Sequence, residues 1–183
     1  ITSQNGFVGQ HLYNSLKQLN DEFELIEFKR DYFKDLLKLQ SFVKNCDVIV
    51  HLASINRSQS ERKLFEINCD LTRTLISAIE NTSSKPHVLF SSSVQEHNEN
   101  SYGKSKKISR TLLSNWALRN GANFTGMIIP NVFGPFGKPF YNSVISTFCH
   151  QLTNNDNPLI KNDKQLKLIY VGDLVNEIIK IIR

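Results

Sequence analysis

The chain has 183 residues, with 22 Lys and Arg against 17 Asp and Glu, a formal net charge of +5, and 40% hydrophobic and 21% charged residues. That length fits one domain able to bury a core, and the near-average composition excludes collagen, low-complexity disorder and a coiled coil. No apolar run approaches the ~18 residues of a membrane span, no signal-peptide pattern occurs, and Cys46, Cys69 and Cys149 lack the spacing of a metal site or disulfide framework, so no metal and a cytoplasmic setting are expected.

In chain order, Ile1 and Thr2 read as the tail of a strand. Val8, Leu12, Leu16 and Leu19 recur at helical spacing and predict a helix over residues 6–19. A strand over 23–28 and a helix over 34–44 follow. Residues 47–53, an apolar run with β-branched members, read as a buried parallel strand. A long helix over 60–81 carries Leu64, Ile67, Leu71, Leu75 and Ile79 on its apolar face. Then come a strand at 87–92, a helix at 102–119 and a strand at 124–129. After a turn-rich stretch at 130–139, helices over 142–152 and 173–182 flank a strand near 166–171. This alternation predicts a Rossmann-like α/β fold, a doubly wound parallel sheet with helices on both faces and a truncated first strand. In such sheets ligands lie at the carboxyl ends of the strands. The chain begins at Ile1, its one methionine is Met127, and it ends inside an amphipathic helical pattern, so it is expected to be a fragment.

The residues after each strand carry the candidate chemistry. The first exit reads Ser3-Gln4-Asn5-Gly6-Phe7-Val8-Gly9, where glycines opening a helix let backbone approach a pyrophosphate. Gly-x-x-Gly alone is weak, since Gly134 and Gly137 match it too. Lys29 and Arg30 follow the second strand, where a base meets a ribose 2′-phosphate; they tilt towards NADP(H), with NAD(H) as the alternative, and read equally well as a solvated basic loop. Ser91-Ser92-Ser93 ends a strand, and Tyr102 and Lys106 stand four apart on one helical face. A nearby ammonium is expected to lower the tyrosine pKa and suit it to proton transfer, with a serine hydroxyl holding the same oxygen. A second Tyr-x-x-x-Lys, Tyr13 to Lys17, reads as helix surface. His51 and Trp116 read as core packing. The basic cluster Lys104, Lys106, Lys107 and Arg110 reads as a solvated face apart from Lys106, and no motif supports a nucleic-acid partner.

Together, TSQNGFVG, DVIVHLA, FSSS, YGKSK, PNVFGP and IYVGDLV, spread over nearly the whole chain, resemble the extended short-chain dehydrogenase/reductase family of NAD(P)-dependent nucleotide-sugar epimerases and dehydratases. The resemblance implies catalytic roles for Ser93, Tyr102 and Lys106. It implies a cofactor held by Ser3, Asn5, Gly6, Phe7, Val8, Gly9, Lys29, Arg30, Leu52, Ala53 and Lys106. A UDP-sugar would be gripped by Asn131, Lys138, Tyr141 and Asn142, in a small substrate-binding part within about 130–170 of a single domain spanning 1–183. The nine-residue interval from Ser93 to Tyr102 and the 138–149 segment further resemble the reductase domains of bifunctional capsular-polysaccharide UDP-sugar enzymes of UDP-N-acetyl-L-fucosamine synthesis, whose C-terminal cupin domain is absent here. NADPH-dependent reduction of a 4-keto UDP-sugar by a homodimer is the implied activity. A 4-epimerase or 4,6-dehydratase retaining NAD, and a non-catalytic dinucleotide-binding module, are the alternatives. Ser3 stands where the family has a glycine, Ile128 where it often has an arginine, Gly172-Asp173 where an acidic pair is expected, and Gln95-Glu96 match a dehydratase acidic pair incompletely.

Overall fold

Short strands alternate with helices in the computed structural model, which describes residues 1–160 and 163–183. The chain divides into two compact units, Ile1–Ile128 and Ile129–Arg183. Residues 161 and 162, within the 130–170 stretch expected to hold substrate, lie outside the described residues.

In the first unit, helix α1 (Phe7–Lys17) is followed by a 3-10 turn (Arg30–Lys34) and α2 (Leu36–Lys44). Strand β1 (Val48–His51), α3 (Glu61–Thr82) and β2 (His87–Ser93) come next. A second 3-10 turn (Val94–His97) leads into α4 (Ser101–Asn120), and β3 (Phe124–Ile129) closes the sheet in the order β1-β2-β3. β1 and β2 are parallel, with Val48 opposite His87 and His51 opposite Phe90. Thr2 adds one parallel bridge to His51.

Local chemistry sets the element ends. Asp35, Ser60 and Asn100 each accept a hydrogen bond from a backbone N–H three residues on and so start α2, α3 and α4. Gly121, in the left-handed region at φ 59°, ends α4. The core gathers Phe28, Phe42, Ile49, Leu75, Phe90 and Trp116. His51 and Trp116 are buried core members, as their sequence context suggested.

Three details differ from the sequence expectation. Residues 23–28 carry no strand ladder, because a ladder needs an adjacent strand and only Thr2 bridges on that side of β1 among the described residues. The buried face of α3 is rotated: Ile67 is 42% exposed, while Asn68 and Thr72 are buried in its stead. The turn-rich stretch after β3 contains a further strand, described next.

The second unit pairs β4 (Asn131–Phe133) in parallel with β5 (Leu168–Tyr170), with Val132 opposite Ile169. Helix α5 (Val144–Thr153) lies between them in sequence, and α6 (Val171–Ile182) follows β5 directly. α6 buries Val171, Leu174, Val175, Ile178 and Ile179, a face at helical period. Among the described residues no helix is long and apolar enough to cross a membrane.

Candidate active site

Thr2 anchors the first strand exit. Its Oγ1 accepts hydrogen bonds from the N–H groups of Leu52 and Ala53, each at 3.0 Å, and lies 2.9 Å from His51 Nδ1. The glycine turn therefore sits beside the exit of β1, with Leu52 and Ala53 next to it. A Cβ added at Gly9 would collide with the backbone oxygen of Ser3, so only glycine lets α1 begin this close to the turn. α1 has no side-chain cap hydrogen bond and no acidic residue in its first turn. Its first amides therefore point outward without an internal cap, a donor set that suits an anionic phosphate group. Asn5, Gly6, Phe7 and Val8 form this turn and helix start, and the arrangement fits a dinucleotide pyrophosphate.

Ser3 itself adopts φ 61°, the left-handed region. A side chain there costs about 1–2 kcal/mol, whereas glycine loses roughly 0.5–1 kcal/mol more chain entropy on folding. Ser3→Gly should therefore stabilise the protein by about 0.5–1 kcal/mol in chemical denaturation. A loss of stability would mean that the Ser3 side chain makes compensating contacts.

Lys29 and Arg30 are both exposed at the start of the first 3-10 turn. Lys29 Nζ stands 4.0 Å from Glu27 Oε2, a solvated pair that holds it only weakly.

At the end of β2, Ser93 Oγ accepts a hydrogen bond from Gln95 N at 3.2 Å and starts the 94–97 turn. That turn lies hard against α4: a Cβ at Gly103 would collide with Gln95 O. The nine-residue interval is thus a compact turn packed on the first helical residues, holding Ser93 near the start of the helix that carries Tyr102.

Lys106 is 3% exposed. Its Nζ donates to Ser91 O at 2.8 Å and to Ser54 Oγ at 3.1 Å, and it lies over the Phe90 ring, 5.0 Å from the centroid. Burial disfavours the ammonium and pushes Lys106 down to about 7. His51 beneath it is also desolvated, and lies at about 3, so it is neutral.

The expected lowering of Tyr102 by its lysine does not occur in this structure. Desolvation pushes the Tyr102 phenol up from its ordinary value, and a hydrogen bond with Ser54 offsets only part of that. The reason is geometric: Lys106 Nζ sits over the Tyr102 ring, 5.6 Å from its centroid, and its charge is itself weakened by burial.

Ser54 and Asn68 carry no motif in the sequence, and the pairing of Glu96 with Arg110 is not visible there. Ser54 joins Tyr102 and Lys106. Asn68 Oδ1 accepts from Ile55 N at 2.7 Å, while its Nδ2 donates to Ile55 O at 2.8 Å and to Ser105 Oγ at 3.2 Å, tying the β1 exit to α3 and α4. Glu96 Oε2 accepts from Ser92 Oγ at 2.9 Å and Arg110 Nε at 2.7 Å. Arg110 is therefore not simply part of a solvated face; its stem lies against Gly126, where a Cβ would come within 2.7 Å of Cδ. A polar residue at an apolar helical position, as at Asn68, was the available signal.

Glu96 Oε1 is buried and has no hydrogen-bond partner. Removing the charge while leaving Arg110 in place loses an ion pair that is half shielded from water. Glu96→Gln should cost about 1–3 kcal/mol of stability, and Arg110→Met combined with it should recover part of that loss. Additive losses in the double variant would contradict the coupling.

The four expected substrate residues lie in the second unit. Asn131 opens β4, and its N–H donates to Lys167 O at 3.1 Å. Lys138 Nζ lies over the Tyr141 ring, 5.5 Å from the centroid. Tyr141 and Asn142 are exposed just before α5. Phe136 and Phe140 hold φ 64° and 56°, so this loop carries backbone strain of the kind found at ligand clamps. Among the described residues no group of His, Cys, Asp and Glu could hold a metal ion.

A parallel α/β sheet with a glycine turn opening its first helix, and a Ser-Tyr-Lys set at a later strand exit, defines a dinucleotide-binding Rossmann-like protein. The chain belongs to the NAD dependent epimerase/dehydratase family, whose model matches residues 1–183. It is 30% identical over 182 residues to the UDP-2-acetamido-2,6-beta-L-arabino-hexul-4-ose reductase of Pseudomonas aeruginosa, covering 99% of this chain and 48% of that protein. The crystal structure of capsular polysaccharide assembling protein CapF from Staphylococcus aureus superposes with a TM-score of 0.79 at 31% identity, covering 98% of this chain and 47% of that one. RMD from Pseudomonas aeruginosa, complexed with NADPH, shares the fold with a TM-score of 0.84 at 18% identity, covering 98% and 72%. The chain spans about half the length of the curated relative it matches.

Proposed function

We propose that this chain is the reductase part of an enzyme that uses NADPH to reduce the 4-keto group of a UDP-sugar of the UDP-2-acetamido-2,6-dideoxyhexos-4-ulose type, in the synthesis of a surface or capsular polysaccharide precursor. The observation that carries the reading is the buried Lys106, held by Ser54 and Ser91 beside Tyr102 at the exit of the strand that carries Ser93. The named activity of the Pseudomonas aeruginosa relative supports the substrate class, and the Staphylococcus aureus relative supports the polysaccharide setting.

Ser3, Asn5, Gly6, Phe7, Val8 and Gly9 would hold the pyrophosphate, with Leu52 and Ala53 beside it. Lys29 and Arg30 would meet the 2′-phosphate, and Lys106 the nicotinamide ribose. When bound, the cofactor supplies the hydride. Tyr102, held protonated at neutral pH by its raised pKa, keeps a proton ready for the carbonyl oxygen. Ser93 donates to the same oxygen as negative charge grows there. Asn131, Lys138, Tyr141 and Asn142 would grip the nucleotide diphosphate. Glu96 is turned inward onto Ser92 and Arg110, which favours reduction over a dehydratase that needs an available acid. The working enzyme would be a cytoplasmic homodimer.

The test uses the full-length protein with a 4-keto UDP-sugar. One NADPH consumed per sugar, with NADPH preferred over NADH, is expected. Conversion of the sugar without net NADPH loss would place the protein with the epimerases or dehydratases, and binding of neither cofactor would leave a non-catalytic module.

A further inference from the structure

Two cations of α4, one helical turn apart, hold the end of β2. Lys106 Nζ donates to Ser91 O at 2.8 Å. Four residues on, Arg110 Nε donates at 2.7 Å to Glu96 Oε2, and the same oxygen accepts from Ser92 Oγ at 2.9 Å. Glu96 belongs to the turn that follows Ser93, so its carboxylate folds back to hold the strand the chain has just left. Successive side chains of a strand point to opposite faces. With Ser92 fixed by Glu96, the direction of Ser93 on the opposite face is fixed as well.

The Glu96 side chain is 2% exposed, and its Oε1 has no hydrogen-bond partner among the described residues, so the carboxylate depends on Arg110 for its compensating charge. Arg110 is itself confined by β3: a Cβ at Gly126 would come within 2.7 Å of its Cδ and 3.0 Å of its Cγ. The turn is equally confined by α4, where a Cβ at Gly103 would collide with Gln95 O. A carboxylate withdrawn from water is costly without its cation. Loss of the guanidinium would drive Glu96 towards solvent and carry the turn with it. Ser93 opens that turn, its Oγ accepting the Gln95 N–H at 3.2 Å.

We infer that Glu96 and Arg110 are positioning residues that aim the Ser93 hydroxyl. The inference rests on Ser93 acting at the carbonyl oxygen in the proposed reduction. Glu96 is turned inward onto Ser92 and Arg110, so the pair acts on the substrate only through Ser93. A hydrogen-bond donor stabilises a transition state when it is already aimed at the atom where charge grows, and a misplacement of about 1 Å can cost about 10²-fold in rate. The residues proposed to hold NADPH lie at the first glycine turn, beside β1 and at Lys106, outside this pair. Its effect therefore belongs to kcat and not to cofactor affinity.

The test compares Arg110→Met, which keeps a stem over Gly126 and removes the donor, with Arg110→Lys, which keeps a cation, in the full-length protein. The Gln95 amide reports Ser93 directly, because Ser93 Oγ is its acceptor. In cofactor-free protein, NMR-detected hydrogen exchange at Gln95 should be faster in Arg110→Met while α4 keeps its protection, and Arg110→Lys should restore it. With NADPH and a 4-keto UDP-sugar, Arg110→Met should lower kcat by about tenfold with the KM for NADPH unchanged, and Arg110→Lys should recover it. In a Ser93→Ala background Arg110→Met should cause no further loss of kcat. If Arg110→Met does not fold, Glu96→Gln carries the same comparisons. An unchanged Gln95 amide overturns the hold on Ser93. A faster amide with unchanged kcat, or a full further loss in the Ser93→Ala background, overturns the positioning role. Faster exchange in a protein that oxidises no NADPH supports the hold on Ser93 and overturns the reduction instead.

Discussion

Tyr102→Phe should lower the turnover of the full-length protein by about 10²–10⁴-fold, the range that loss of a positioned general acid produces, while leaving NADPH affinity unchanged. The separation follows from where the hydroxyl sits. The ring lies under Lys106 and keeps its packing in the variant, whereas the oxygen alone carries the proton and the hydrogen bond to Ser54. The raised phenol pKa has a further consequence of definite sign. Tyr102 stays protonated through neutrality and well into alkaline pH, so its own titration should not limit turnover near pH 7. Steady-state kinetics with paired cofactor titrations check both statements, and unchanged turnover would remove Tyr102 from the chemistry.

Lys106 has the second large effect, and stability reveals it as clearly as activity does. Burial holds the folded-state amine at about 7, against 10.5 for an ordinary lysine. Below the folded value both states carry the proton, so the full cost of burying the ammonium is present. Between the two values the unfolded chain binds more protons than the folded one, so stability rises with pH. Above the unfolded value the rise is complete. At about 1.4 kcal/mol for each tenfold difference in proton affinity, the whole rise amounts to a few kcal/mol. Lys106→Met should abolish this rise and stabilise the fold near neutrality while eliminating turnover. His51 contributes a rise of the same sign but between about 3 and its ordinary 6.5, below the lysine window. Tyr102, raised above its ordinary value of 10, acts with the opposite sign: both states hold the neutral phenol below that value, and stability falls only as the pH rises above it. Denaturation midpoints measured from neutral pH to pH 10 isolate the lysine from the other two groups, and an unaltered pH profile in Lys106→Met would show that the lysine is solvated and keeps its ordinary value in the folded protein.

The sequence displays the fold where an element's own pattern decides it. The 47–53 run and the helical spacing along α1 and α3 are local signals, and they lie where the elements lie. Residues 23–28 read as a strand from their own composition, yet a ladder depends on what lies alongside, which no local pattern contains. β4 is three residues long, and its pairing with β5 spans more than thirty residues of chain, so a turn-rich reading hid it. In the candidate site, Tyr102, Lys106 and Ser93 were visible because their spacing is a motif. Ser54, Asn68 and the Glu96–Arg110 pair were not, because each acts through contacts between distant segments. The protonation of Tyr102 departs from the sequence expectation for a related reason. A spacing of four places an ammonium near a phenol, but only the side-chain geometry shows that it faces the ring and that both groups are desolvated.

The most direct measurement of the central claim follows the hydride. Full-length protein is given NADPH deuterated at the transferable nicotinamide position together with a 4-keto UDP-sugar, and the sugar is analysed by mass spectrometry and NMR. The expected result is one deuterium at C4 of the product and one oxidised cofactor for each sugar reduced. A converted sugar that carries no deuterium, with the labelled cofactor unspent, would contradict reduction as the activity of this protein.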